Sequence, residues 1–251
     1  MVIPVILFLA PILSGSLVFL LKSSTENSIK LLLAFSGSYL FSISVLHLIP
    51  EIYSSSTGMT IGVYVLVGFF IQILLEFFSG GIEHGHIHTH STHNDSDHNH
   101  GVTDTHVSNV GQINLALPIL ISLCIHAFVE GMPLANQALE SGNTKTLLLG
   151  IVLHKMPIAF VLMSLLLYRG IKTPSAIAVL IFFALAAPMG YAVSMETTVI
   201  HSHPHEVMAV VVGIMLHVST TILFESSANH RFNFYKIIII IFGAAMAFLN
   251  L

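Results

Sequence analysis

Charge is what this chain of 251 residues has least of: Asp, Glu, Lys and Arg make up 8% of it, where a soluble domain carries about 25%. With hydrophobic residues at 55% and a mean hydropathy of +0.89, that shortage excludes an ordinary water-solvated body and places the chain in a bilayer. Cysteine is nearly absent. The single Cys124 excludes a disulfide framework within one chain and a Cys-based zinc knuckle. Neither a basic face for nucleic acid nor a basic amphipathic helix is present, so nucleic acid is not an expected partner. The net charge of -4 says little, because Glu83, Asp95, Asp97 and Asp104 fall with eight of the 16 histidines in one polar stretch.

What the chain has instead is apolar runs of about 20 residues, the length that crosses a hydrocarbon core of about 30 Å. Eight occur, near 2–21, 29–49, 59–79, 112–139, 146–168, 174–195, 206–225 and 234–251. The expectation is an all-α polytopic membrane protein of eight transmembrane helices, a single transmembrane domain over 1–251 with no soluble domain left over. The first run lacks a charged n-region and a small-residue cleavage site, and is read as a retained helix. With the N-terminus outside, Lys22, Lys30, Arg169, Lys172, Arg231 and Lys236 fall in cytoplasmic loops and only Lys145 in an external one. This positive-inside bias puts both termini outside and the third loop in the cytoplasm. A plasma or inner membrane is expected, from the lack of sorting signals.

The stretch 83–108 begins EHGHIHTHSTHNDSDHNHGVTDTH. Its His84, His86, His88, His90, His93, His98, His100 and His106 form an adaptive set of imidazoles for zinc, copper or nickel without fixed geometry. So polar a segment is expected to be disordered when empty; the alternative is a merely solvating linker. A second set, His201, His203 and His205 with Glu206, lies before the seventh span, to collect cations at the outer mouth or simply to be solvated.

Ionisable residues in the middle of apolar spans are rare unless paired, metal-bound or facing a wet cavity, because each costs about 2.5–3.5 kcal/mol in hydrocarbon. His126 and Glu130 in the fourth span are four residues apart and share a helix face. His154 lies at similar depth in the fifth, the antiparallel neighbour. Two neutral imidazoles and one carboxylate suit a divalent first-row metal and leave positions for water. Gly131, Pro133 and Pro157 lie close by, where helix breaks are tolerated if freed carbonyls line a cavity. The alternative is that each histidine is satisfied by a serine or a carbonyl and serves packing.

These residues resemble the ZIP (Zrt-, Irt-like) metal transporters. His-x-x-x-acid-Gly (His126, Glu130, Gly131), His-x-x-Pro (His154, Pro157), HLIPE (His47 to Glu51) and TTILFES (with Glu225) match that family's motifs over nearly the whole chain. The resemblance implies a midplane metal site on helices four and five, passage of divalent cations into the cytoplasm, and an inverted repeat of helices one to three against six to eight. Many members carry Asn after the helix-four His, a carboxylate after the helix-five His and Glu four residues beyond it. Ala127, Lys155 and Ile158 stand there. A single-ion site is therefore expected, with Lys155 standing in for the second metal's charge beside Glu130, or else snorkelling along a neighbouring helix.

Weaker expectations attach to other residues. His217 and Glu225, roughly on one face, suggest an exit relay. His47 and Glu51 suggest an outer entrance. Glu76 with Gln72 reads as a helix-end group within reach of water. Gly37, Gly62, Gly68, Gly150, Gly190 and Gly213 read as close-packing positions. The function expected is import of divalent metal, Zn²⁺ first and Fe²⁺, Mn²⁺ or Cd²⁺ after it, with the metal as substrate, no catalytic cofactor and a homodimer left open. The alternatives are a metal efflux carrier and an intramembrane zinc hydrolase using His126, His154 and His217 with Glu130 as base.

Overall fold

The structure, a computed structural model, describes residues 2–21, 26–54, 58–79, 109–135, 141–225 and 234–249. Among these residues every regular element is helical. The helices are α1 (Val2–Ser16), α2 (Glu26–Ile43), α3 (Ile49–Ser54), α4 (Gly58–Ser79), α5 (Asn109–Gly131), α6 (Ser141–Tyr168), α7 (Thr173–Glu196), α8 (Thr198–Ser202), α9 (Pro204–Glu225) and α10 (Phe234–Leu249). Seven of the expected spans are long and apolar enough to cross a membrane. The eighth, α10, has 16 described residues, about 24 Å at 1.5 Å per residue, and is apolar throughout most of its length. Its Lys236 is buried and donates from Nζ to the Leu223 carbonyl at 3.0 Å, tying the start of α10 to the end of α9.

Proline punctuates the spans in interpretable ways. Pro50 cannot give the Leu46 carbonyl its usual hydrogen bond, and the helix widens into one π turn over Ser44–Leu48, joining α2 to α3. Pro133 disfavours helical backbone at the residue before it, so α5 ends at Gly131 and passes into a tight turn over Met132–Ala135.

Packing sorts the long helices into two bundles. One holds α1, α5, α6 and α7; the other holds α2, α4, α9 and α10. They touch chiefly where α2 meets α6 and α4 meets α5. Exchanging the first three spans for the last three, and the fourth for the fifth, turns the α1–α6 packing into α7–α5 and the α2–α10 packing into α9–α4. All four are extensive, as an inverted repeat requires. The symmetry is broken where the bundles meet: α4 packs on α5 and α2 on α6, with no comparably extensive α10–α6 or α9–α5 packing among the described residues.

Lipid tails are as apolar as leucine, so helices in a bilayer associate by close packing. A Cβ added at Gly68 would overlap the Val210 carbonyl, and one at Gly213 would overlap the Val65 carbonyl, so α4 and α9 cross at backbone contact. The Gly131–Ala187 and Gly190–Phe128 contacts do the same for α5 and α7. Large apolar side chains such as Phe70, Phe77, Phe182, Met189 and Phe242 face outward.

Candidate metal centre in the transmembrane core

Helical spacing puts Glu130 one turn beyond His126 on the inward face of α5, and α6 brings His154 to meet them. All three are buried, His154 completely. One ligand atom from each lies within 4.8 Å of the others, a distance a single cation can bridge. His126 Nε2 is 3.1 Å from Glu130 Oε1, and the two imidazole centroids are 6.1 Å apart. Among the described residues neither Glu130 carboxylate oxygen receives a geometrically sound hydrogen bond. A buried anion without donors is costly in an apolar interior, and a metal ion is one group that would satisfy it.

The local backbone of α6 suits this placement. Pro157 leaves the Leu153 carbonyl without its helical donor, immediately before His154. On the following turn Ser14 of α1 donates from Oγ to the Met156 carbonyl at 2.5 Å, tying the proline-containing segment to its bundle.

Lys155 turns inward. Its Nζ is 3.8 Å from Glu130 Oε2, donates to the Ala127 carbonyl at 3.4 Å and sits 5.9 Å from the Phe183 ring centroid. The side chain is 3% exposed, which excludes the snorkelling arrangement. Ala127 and Ile158, fully and almost fully buried, supply no ligand atoms from their side chains.

With this arrangement in view, comparison with known proteins is informative. The family model described as ZIP zinc transporter matches residues 1–250. The chain belongs to the ZIP zinc transporter family. A curated relative of that family, zinc transporter ZIP9 of Micropogonias undulatus, is 30% identical over 131 residues, which cover 51% of this chain and 36% of the relative. This ZIP family member thus spans well under half the length of the relative it matches.

The remaining residues singled out from the ZIP motifs are scattered. His47 is buried in the π turn, with Nε2 3.2 Å from the Ala247 carbonyl of α10, while Glu51 is half-buried one turn on. His203 is exposed with Nδ1 2.9 Å from Ser202 Oγ, His205 is half-buried at the start of α9, and the His201 side chain lies outside the described residues. No second group of three or more metal-ligating side chains occurs among the described residues. His217 meets Glu76 of α4, with Nε2 2.5 Å from Oε2 and the ring edge-on to Phe69, while the Glu225 side chain lies outside the described residues. The histidines of 83–108 all lie outside the described residues.

One residue that sequence reasoning undervalued belongs beside the centre. Gln72 is fully buried, not within reach of water, and its Oε1 is 2.9 Å from His126 Nδ1. A lone glutamine in an apolar run was the available signal, but spacing along α4 names no partner for it.

Proposed function

We propose that the chain imports divalent transition metal ions, Zn²⁺ first, into the cytoplasm through a single-ion site at His126, Glu130 and His154. The observation that carries this reading is the convergence of three buried donors from α5 and α6 within 4.8 Å, in a chain of the ZIP family. Two imidazoles and one carboxylate leave coordination positions for water or for a passing ligand, so the ion keeps part of its hydration and unloads; a site that binds too tightly cannot conduct. With N-terminus and C-terminus outside, His201, His203, His205, His47 and Glu51 stand toward the outer mouth. His217 with Glu76, and Glu225 two turns on, stand toward the exit. The histidines of 83–108 then receive ions in the cytoplasm.

Lys155 stands in for the second cation that a bridged pair would supply. Its ammonium lies on the side of Glu130 away from the His126 contact, so an arriving metal competes with it for the carboxylate. Lys155→Met removes the competitor and leaves a buried carboxylate uncompensated, a loss on the order of 3 kcal/mol. The expected result is a lower Tm for the metal-free protein and a larger Tm rise on adding Zn²⁺ than wild type shows. Equal shifts would dismiss the charge-substitute role.

The hydrolase alternative needs His217 beside His126 and His154, whereas His217 is paired with Glu76; a carrier is the better reading. Influx of Zn²⁺, Fe²⁺ and Mn²⁺ into sealed proteoliposomes tests it. Saturable influx that disappears in His126→Ala and in His154→Ala is expected. Absence of flux in the wild type, with hydrolysis of lipid or peptide in detergent, would replace it with the enzyme.

A further inference from the structure

A neutral imidazole carries one N–H, and which nitrogen holds it decides which nitrogen can bind a metal. For His126 the two choices meet different neighbours, and only the Nδ1 side makes a hydrogen bond of sound geometry. With the proton on Nδ1, the ring donates to Gln72 Oε1 at 2.9 Å and leaves the Nε2 lone pair facing Glu130 and His154. With the proton on Nε2, the ring turns its N–H toward Glu130 Oε1, 3.1 Å away. That second state removes the lone pair from the cluster and places an N–H beside the carboxylate, with no hydrogen bond of sound geometry gained in this arrangement.

We infer that Gln72 is a positioning residue that holds the His126 proton on Nδ1 and so keeps Nε2 and the Glu130 carboxylate open to the metal. This rests on the metal-site reading above and adds a residue to it from a different part of the fold. Gln72 belongs to α4, in the bundle of α2, α4, α9 and α10, whereas His126 belongs to the bundle of α1, α5, α6 and α7. The hydrogen bond therefore crosses between the bundles. A second crossing bond, Ser122 Oγ to the Leu75 carbonyl at 2.5 Å, lies one turn away along α5 and sets the register of the antiparallel pair. The α4–α5 packing that makes both bonds is one of the places where the inverted repeat is broken. This packing puts an acceptor behind the His126 imidazole. Because the acceptor is on the other bundle, His126 is set as an Nε2 ligand only while α4 and α5 keep this register. Any sliding of one bundle on the other releases the proton and weakens the site.

The test uses the full chain labelled with ¹⁵N-histidine in lipid nanodiscs, with His126 signals assigned by difference from His126→Ala, alongside Zn²⁺ influx in proteoliposomes. The wild type is expected to show the Nδ1–H form of His126 without metal. Gln72→Leu, which fills the same space without an acceptor, is expected to shift His126 to the Nε2–H form and raise the KM for Zn²⁺ by roughly 10–100-fold with little change in maximal rate. Gln72→Glu retains an acceptor oxygen and is expected to keep Nδ1–H and a KM near that of wild type. If Gln72→Leu does not fold, Gln72→Glu and the wild-type spectrum decide. An Nε2–H form in the wild type, an unchanged tautomer or KM in Gln72→Leu, or a KM raised equally in Gln72→Glu, overturns the inference. If His126→Ala itself transports with an unchanged KM, the metal-site reading fails while the tautomer result stands on its own.

Discussion

Glu130→Gln is expected to abolish metal influx, by at least about a hundredfold in initial rate, which corresponds to roughly 2.8 kcal/mol at 1.4 kcal/mol per tenfold. The substitution keeps the shape of the side chain and removes only its charge, so it isolates the carboxylate's role as the anionic ligand. A complication follows from the geometry. Lys155 Nζ lies 3.8 Å from Glu130 Oε2, and removing one partner of a buried pair costs about 3–5 kcal/mol because the other charge is left behind. Glu130→Gln alone is therefore expected to lower Tm as well as flux. In the double variant Glu130→Gln with Lys155→Met, both charges are gone, and Tm is expected to recover toward wild type while flux stays absent. Parallel measurement of Tm and proteoliposome influx separates the two effects. Recovery of flux in the double variant would show that Glu130 serves the fold and not the ion.

The second large effect is expected at the α4–α9 crossing. Gly68→Leu places its first carbon against the Val210 carbonyl, and backbone, unlike a side-chain end, cannot turn away. Overpacking typically costs about 1–3 kcal/mol where side chains adjust; here two helices must separate along their seam, and Gly213 against Val65 suffers with it. The expected outcome is loss of the monodisperse protein on size-exclusion chromatography. Gly62→Ala is the internal control. A Cβ there meets only the Tyr53 hydroxyl at 3.4 Å, so its stability is expected to stay within about 0.5 kcal/mol of wild type. Equal tolerance of the two substitutions would mean that α4 and α9 do not cross at backbone contact.

The residues that proved easy and hard to read differ for a physical reason. Spans are dictated by the length of apolar sequence that the bilayer demands, so the helices fell close to where composition put them. His126 and Glu130 are four apart on one helix, and a spacing of four is itself a statement about space. His154 followed because its helix is the next one along a short loop. Contacts that cross the inverted repeat carry no such local signature. His217 was read with Glu225 as an exit relay because both lie on α9, and spacing along that helix gave no hint of its contact with Glu76, 141 residues away in sequence. Gln72 was read as a helix-end group because α4 alone shows no reason for it; the reason is on α5. The π turn at Ser44–Leu48 inserts one residue's worth of rotation that a regular helical wheel misses, and it turns His47 toward the backbone of α10. Gly131, noted only for its nearness to Glu130, proves to be a helix-crossing position against Ala187.

Anomalous diffraction at the zinc edge, from crystals of the wild-type protein soaked in Zn²⁺, tests the central claim most directly. The account expects one anomalous peak in the transmembrane core, within coordination distance of His126, Glu130 and His154, and no second peak where Lys155 Nζ stands. A core without a peak at those three side chains, or a pair of peaks with Lys155 displaced from Glu130, would contradict it.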